Sequence, residues 1–588
     1  MEPSQKPEFC LRGIGCAPGV ARGKAFVFLQ RNVELPCYKI DDSLIDSEIA
    51  RFDAAVEKTR EQLNLLSAEM RARANEPEAE IFDAHLLVLD DPAVIGETEK
   101  AIKSTRINAE HCFNSVTARY IEFFSGLEDA YLKERAADIR DVAQRVLRNL
   151  LGKTQQHEGP DRFAERIIVA EELTPSETLA FEKSSVSALL TDAGNHTSHA
   201  AIMARSLGIP AVVGLRIATL RIAQDDDVLV DGEKGLVYIN PSERTLDSYA
   251  RISLRRSRLE IRIAEENVKP DLTADGTPFK IEGNISGKED MEKFRQAHID
   301  DVGLFRSEGI FLRTDRFPPE EMQYEEYRQV VEMIPPRNSI IIRTLDIGGD
   351  KHISGSLLPP EDNPFMGFRA IRFCLEFKDI FKDQLRAILR TSVNGNVKIL
   401  LPMISSIAEV VAAKEVIEDA KSELRSRNVP FDEDIQIGSM IEVPAAVAIA
   451  EELADEVDFF SIGTNDLTQY MLAVDRGNEK ISHLYDSYHP SVIRAIARTI
   501  RAAKSAEIPC TVCGELAGDP CFAPLLLGLG ASALSMNPAS APRIRYILRH
   551  TTMQDVNKLA HAVIHDANPR SIQERLTIFI NSILPVEM

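Results

Sequence analysis

Apolar residues change their period several times along this chain. From Leu11 to Gln30 they form short runs cut by glycine and proline, LRGIGCAPGVARGKAFVFLQ, which predicts strands joined by tight turns. Between residues 41 and 150 they recur at helical spacing with few breakers (Leu44, Ile45, Ile49, Phe52, Val56, then Leu86, Leu87, Leu89), predicting a helical bundle. Strand composition returns in RIIVAEEL (166–173), VSALLTDAG (186–194) and DVLVDGEKGLVYIN (227–240), the last with the turn residues of a hairpin. The simplest architecture is an α/β domain over 1–40 and 151–240, interrupted by a helical insertion over 41–150. Residues 241–270, bounded by Pro241 and Pro270, carry dense charge of both signs and predict a solvated connecting helix.

Beyond Asp271 eight apolar runs with strand composition alternate with helical patterns: FKIEGNI, DVGLFRS, SIIIRTLDI, VKILLPM, IQIGSMIEV, DFFSIGTND, PCTVCGE and SALSM. That order predicts a parallel (β/α)8 barrel over 271–588, so the fold class is multidomain α/β ending in a TIM barrel. Arg306, Arg343, Asp346, Glu442, Asn465, Asp466 and Glu515 all fall at the downstream ends of their runs, where barrels of this type keep their chemistry.

Charge and composition narrow the partners. Acidic residues outnumber basic ones 91 to 69, a formal net charge of −22, which opposes attraction to nucleic acid or anionic lipid. There is no run of about 18 apolar residues and no secretory signal at the start, so the sequence reads as cytoplasmic, with no membrane partner. Eight cysteines in 588 residues are too sparse for a disulfide framework and read as reduced thiols.

Arg306, Arg343, Arg369, Arg372 and Arg476 with Lys351 form a candidate anion clamp, since guanidinium forks match carboxylate and phosphate geometry. The plainer reading is pairing with surface carboxylates, and GFRAIRF reads as a helix with Arg369 and Arg372 one turn apart, Arg372 facing out. Glu442 and Asp466 are single carboxylates at neighbouring strand ends, a donor set that suits Mg2+ completed by substrate oxygens and water. No histidine or second cysteine converges with them, so zinc is disfavoured. Cys510 and Cys513 spell C-x2-C, yet residues three apart in a strand face opposite ways. Cys513 then faces the site as a possible proton donor, and Cys510 reads as a small core residue.

In TDAGNHTSHAAIMARSLGIPAVVG (191–214), Asp192, Gly194 and Asn195 predict a turn, and Thr197 or Ser198 can cap a helix that Gly208 and Pro210 end. His199 then lies in the first helical turn, where free N–H groups and the helix dipole stabilise an anion carried on the imidazole. His196 and His199 lack a carboxylate at helical spacing, which argues against a metal pair; a plain capping histidine is the bland alternative. Residues 75–99 hold eight acidic residues and no basic one: a solvated face, or a docking surface for a small basic protein.

These strings together resemble the Enzyme I family of the bacterial phosphotransferase system, the phosphoenolpyruvate-protein phosphotransferases, over nearly the whole length. The resemblance rests on LTPSET, TDAG..TSH..IMARSLGIPA, IIRTLDIGGDK, NPFMGFRAIR, EVDFFSIGTNDLTQYMLAVDRGN, ISHLY and CGELAGD. It implies that His199 is phosphorylated by phosphoenolpyruvate and discharged to a histidine of the carrier HPr, with release of pyruvate, for sugar uptake and phosphorylation. It assigns Mg2+ to Glu442 and Asp466, and the substrate to Arg306, Arg343, Asn465 and Arg476 with Lys351 and Arg369 nearby. Cys513 becomes the proton donor, and Thr178 the residue that orients His199. The implied architecture is a swivelling phosphohistidine domain with an HPr-binding insertion (41–150), a linker (241–270), and a barrel (271–588) that forms a homodimer. The chain departs from the family at Asn195 and His196, in place of glycine and a non-histidine, and at FRSEGIF for RTEFLF, a change expected to alter the phosphate pocket beside Ser307. Pyruvate phosphate dikinase and phosphoenolpyruvate synthase share both modules. They place a large nucleotide-binding domain ahead of the histidine domain, for which the roughly ten residues before the first strand leave no room; the same shortage disfavours the nitrogen-branch form. A non-catalytic phosphoenolpyruvate sensor is the alternative from another class.

Overall fold

The computed structural model describes residues 7–28, 35–72, 82, 85–89, 92–125, 130–152, 165–173, 186–194, 198–312, 316–348, 361, 363–476, 478 and 481–584. They divide into two compact units, Met1–Ser253 and Leu254–Met588. Among the described residues no helix is long and apolar enough to cross a membrane.

In the first unit, β1 (Phe9–Arg12), β2 (Ile14–Ala17) and β3 (Val20–Phe28) precede a set of helices, α1 (Ile45–Ala72), α2 (Pro92–Thr105), α3 (Ala109–Ser125) and α4 (Ala130–Leu150). Their apolar stripes meet in one core that includes Phe52, Val56, Leu63, Ile102, Phe113, Val142 and Val146. The chain then returns as β4 (Arg166–Ala170), β5 (Ala188–Thr191), α5 (His199–Leu207), β6 (Ala211–Val213), β7 (Asp227–Asp231) and β8 (Leu236–Ile239). The eight strands form one mixed sheet in the order β1-β8-β7-β3-β4-β5-β6-β2, with β3, β4, β5 and β6 mutually parallel and β7–β8 the expected antiparallel hairpin. Both faces are covered, which is why β4 reads as an uninterrupted apolar run: Ile167 and Val169 enter one core, Ile168 and Ala170 the other.

The helix α6 (Glu243–Glu266) occupies the stretch predicted to connect the two halves. In the second unit Leu259 and Ile263 from its later turns rest on the barrel core. The barrel strands are β9 (Ile281–Ile285), β10 (Val302–Arg306), β11 (Ser339–Arg343), β12 (Asn396–Leu401), β13 (Ile437–Ile441), β14 (Phe459–Ile462), β15 (Cys510–Val512) and β16 (Ala533–Met536). All pair in parallel and β16 closes onto β9, one strand for each of the eight predicted runs. Leu304, Ile341, Leu400, Met440, Phe459 and Cys513, from or just beyond six successive strands, point inward and plug the barrel. The next inward positions on those strands are therefore raised to the mouth.

Around the barrel run α7 (Glu320–Val331), α8 (Lys378–Thr391) and α9 (Ile407–Ser426), the last begun by a capping box between Ser406 and Glu409. Glu320 ties the three together, accepting from Arg386 Nε (2.7 Å), Arg390 Nη1 (2.7 Å) and Arg427 Nη1 (2.9 Å). Burial raises its carboxyl pKa, but the three guanidinium groups outweigh this and lower it from 4.5 to about 2. A folded-state pKa held below the unfolded value stabilises the fold fully above the unfolded pKa and is lost as pH falls toward the folded one. Glu320→Gln should therefore cost about 2 kcal/mol, discounted for partial exposure, in urea unfolding followed by circular dichroism at pH 7. The gap to the parent should narrow as pH drops below about 4.5 toward 2; a gap that does not depend on pH would remove the network from the account.

Candidate active site

Strand parity decides what gathers at the barrel mouth. Arg306 ends β10, Arg343 ends β11, Glu442 follows β13, and Cys513 follows β15. Asn465 and Asp466 lie in the first turn of α10 (Thr464–Leu472), which begins directly after β14. Gly463, between strand and helix, leaves room for Glu442: a Cβ there would sit 2.5 Å from Glu442 Oε2 and push the carboxylate aside.

Arg343 is 6% exposed and Glu308 only 4%; the two are hydrogen-bonded, and Arg343 Nη2 also stands 3.1 Å from Asp346 Oδ2. Asp346 takes a second guanidinium, accepting from Arg369 Nη2 at 2.8 Å. Arg369 reaches on to Asp466 Oδ2 (3.7 Å) and donates to the hydroxyl of Tyr470 (3.1 Å). This placement differs from the expected helix in GFRAIRF. Ala370 adopts a φ of +52°, the helix starts only at Ile371, and Arg369 turns inward ahead of it. Among the described residues Arg372 pairs with no surface carboxylate; it donates to the carbonyls of Met366 and Gly367.

The charges at the mouth are unevenly shared. Glu442 is 1% exposed and accepts from the Met403 N–H (2.7 Å); burial, then the charges of Asp466 and Asp346, push its pKa up to about 8. Asp466 Oδ1 is buried with no hydrogen-bond partner among the described residues. Beside these crowded carboxylates the arginines are crowded in turn. Arg306 touches solvent, yet it lies deep in the concave mouth, and burial followed by the charge of Arg343 and, more weakly, Arg476 lowers its pKa. Buried Nε atoms of both Arg343 and Arg369 lack a partner among the described residues. A cavity of about 350 Å³ opens here, lined among others by Asn284, Lys293, Arg306, Gly514 and Glu515.

The remaining expected residues fall out as follows. Asn465 donates from Nδ2 to Glu515 (3.0 Å) and accepts from the Glu515 N–H (3.1 Å), so the two form one reciprocal unit. The Arg476 side chain is exposed, and its N–H is held by Gln469 Oε1 (3.1 Å). Cys513 is 2% exposed and burial pushes its thiol up to about 11, so it is protonated at neutral pH. Cys510 packs in the outer layer with Val512, on the opposite face from Cys513. Ser307 is fully buried and donates to the Arg343 carbonyl (2.8 Å). Gln384 donates to Ser307 (3.1 Å) and accepts from the Leu345 N–H (2.8 Å), so two side chains fix the backbone on either side of Thr344.

In the first unit α5 opens at His199 behind an extended N-cap residue, Ser198, and Gly208 closes it at φ +66° with its N–H on the Ala204 and Arg205 carbonyls. Asp192 of the TDAG string is a structural brace that accepts from the Ala218 and Thr219 N–H groups and the Thr219 hydroxyl. The side chain of His199, together with Thr178, Asn195, His196, Thr197, Lys351 and most of the acidic stretch 75–91, lies outside the described residues. Glu308, Gln384 and Tyr470 were not singled out from the sequence. Tyr470 had a signal, lying one helical turn after Asp466; Glu308 and Gln384 had none beyond being polar in apolar surroundings.

Three family models match the chain: the phosphoenolpyruvate-binding domain of phosphoenolpyruvate-utilising enzymes over 261–553, their mobile domain over 163–235 and their N-terminal part over 12–135. A phosphoenolpyruvate-protein phosphotransferase of Listeria monocytogenes is 40% identical over 568 residues, covering 96% of this chain and 98% of its own. That of Haemophilus influenzae is 40% identical over 570 residues, covering 97% and 99%. A solution structure of an Enzyme I protein, 40% identical, covers 41% of this chain and 97% of its own, with a TM-score of 0.34.

The cysteines give a direct check of the buried mouth. At pH 8, iodoacetamide should label Cys10 and Cys37, which are exposed, and leave Cys374, Cys510 and Cys513 unlabelled until the protein is unfolded. Peptide mass spectrometry finding Cys513 among the fast-reacting thiols would contradict its burial and raised pKa.

Proposed function

Within the phosphoenolpyruvate-protein phosphotransferases, the branch of the phosphoenolpyruvate-utilising enzymes to which this chain belongs, we propose that it takes the phosphoryl group of phosphoenolpyruvate onto His199, passes it to a histidine of the carrier HPr and releases pyruvate, serving sugar uptake and phosphorylation in the cytoplasm. One observation carries the reading. Carboxylates short of a cation (Glu442, Asp466) stand beside a guanidinium short of an anion (Arg306) at one barrel mouth.

In-line phosphoryl transfer demands alignment and neutralisation of the transferred oxygens more than covalent help from the protein. Arg306, Arg343, Arg369 and Arg476, with Asn465 and Lys351, hold the carboxylate and phosphate of the substrate. The partnerless Nε atoms of Arg343 and Arg369 are donors suited to that task. Glu442 and Asp466 fit Mg2+: a buried carboxylate oxygen with no partner and a neighbour pushed toward neutrality both improve when a divalent cation arrives. When bound, Mg2+ supplies countercharge to the phosphoryl oxygens. Among the described residues no three carboxylate, histidine or cysteine side chains form a metal cage, and a site completed by substrate and water needs none.

Breaking the phosphoenolpyruvate P–O bond leaves the enolate of pyruvate, and protonation at C3 traps it as the ketone. Cys513, protonated across the neutral range, is the donor. His199 at the N-terminus of α5 accepts the phosphoryl group where free backbone N–H groups stabilise it, with Thr178 orienting the ring. Movement of the phosphohistidine domain about 241–270, HPr docking on the 41–150 insertion and dimerisation through the barrel complete the proposal.

Incubation with labelled phosphoenolpyruvate and Mg2+ should yield protein-bound label that survives alkali and is lost in acid, and His199→Ala should abolish it. Glu442→Gln combined with Asp466→Asn should slow labelling on the order of 100-fold or more. Label persisting in the His199→Ala protein, or undiminished labelling in the double variant, would overturn the assignment.

A further inference from the structure

Asn284, the last inward residue of β9, lines the cavity at the barrel mouth and also touches the backbone of Cys513. Its Nδ2 donates to the Cys513 carbonyl (2.9 Å) and to the Ser535 carbonyl (3.3 Å), while its Oδ1 accepts from the Ser535 hydroxyl (2.6 Å). Both carbonyls can only accept and the hydroxyl is free to donate, so the amide has one satisfactory orientation. Ser535 is fully buried on β16 and cannot swing away. The result is a three-strand brace: β9 and β16 grip the residue that follows β15. The Cys513 thiol itself rests on the Ile462 carbonyl (3.4 Å), whose strand β14 also receives the Cys513 N–H (3.1 Å). The donor's backbone is thus pinned on both sides, leaving chiefly side-chain rotation to bring S–H to the substrate.

We propose that Asn284, locked by Ser535, is a positioning residue for proton delivery by Cys513, setting the face of the enolate that receives the proton. Its amide is committed to the brace and does not hold substrate. The inference rests on the reading of Cys513 as the donor. In the step concerned, the P–O bond of phosphoenolpyruvate breaks and the N–P bond to His199 forms. The enolate oxygen lone pair then becomes the ketone C=O, and the C=C pair takes the proton from the Cys513 S–H. The thiolate left behind recovers a proton from water.

Delivery from one fixed thiol makes protonation one-sided; an enolate protonated by bulk water takes the proton from either face. The test uses the full chain in single turnovers with Mg2+ and phosphoenolpyruvate carrying tritium stereospecifically at C3, run in deuterium oxide so that the product methyl is chiral. The parent protein should give pyruvate of one handedness. Asn284→Ala should give a scrambled methyl and a maximal rate of pyruvate formation lower by on the order of 10- to 100-fold, with the half-saturating phosphoenolpyruvate concentration within about twofold of the parent's. Asn284→Asp, nearly the same shape, should be as impaired, because a carboxylate would face two carbonyl oxygens. Ser535→Ala removes only a hydroxyl, should shift handedness in the same direction by less, and keeps the test open should Asn284→Ala fail to fold. An Asn284→Ala protein with one-handed product and unchanged rate overturns the inference, as does a defect confined to the half-saturating concentration, which would make Asn284 a substrate ligand. If Cys513→Ala also gave one-handed pyruvate at the parent rate, the assignment of Cys513 would fall first; scrambling by Cys513→Ala alone would remove only the role of Asn284.

Discussion

Carboxylates buried in excess of the cations around them cost several kcal/mol, and the mouth of this barrel gathers Glu442, Asp466 and Asp346 in one small volume beside Arg306, whose guanidinium is open to solvent. Asp346 moderates the conflict by bridging Arg343 and Arg369, and Glu308 takes a share of Arg343. What remains unsatisfied is Glu442 and Asp466 on one side and Arg306 on the other. On the proposed reading, that imbalance is what a doubly charged anion and a divalent cation would relieve together, so that binding of either would improve the site for its companion.

The rest of the barrel is organised to hold that arrangement still. Six inward side chains plug the interior, so the next inward position on a strand, as at Arg306, Arg343 and Glu442, falls at the mouth. Behind the mouth, buried polar groups act on the backbone: Ser307 and Gln384 hold the chain around Arg343 and Leu345, and Asn284 holds Cys513. These hydrogen bonds use amide and hydroxyl groups, which carry no net charge and leave the electrostatics of the mouth undisturbed. Shape is thus set by neutral groups and affinity by charged ones.

Much of this was legible in the sequence because barrel strands announce themselves twice, by apolar runs of regular spacing and by a polar residue at the downstream end. Arg306, Arg343, Glu442, Asn465 and Asp466 were read from that rule, and Cys513 from the opposite facing of residues three apart in a strand. Arg369 was harder: its inward turn depends on a positive φ at Ala370, a position where local propensity favours continuing the helix. The bond from Ser307 to the Arg343 carbonyl was not legible, since pattern alone does not say which polar residue beside a strand end serves the backbone. Asn284 was invisible, since a single asparagine in an apolar run gives no hint that two carbonyls await it from strands far away in the chain.

The sheet of the first unit carries a consequence for how the chain is made. Its parallel partners β3 and β4 are neighbours in space, yet Lys24 and Arg166 are about 140 residues apart, with helices α1 to α4 among what lies between them. Contacts of such separation are slow to form from an open chain, because loop closure must be met before any of them contributes. Helices α1 to α4 rely on nearer contacts and can collapse early, drawing the ends of the intervening segment together. During synthesis the first three strands leave the ribosome well before their partners exist, with hydrogen-bonding edges uncovered. Mutations that loosen the helical core would then show themselves first as poor yield of soluble protein, even where every residue of the sheet is unchanged.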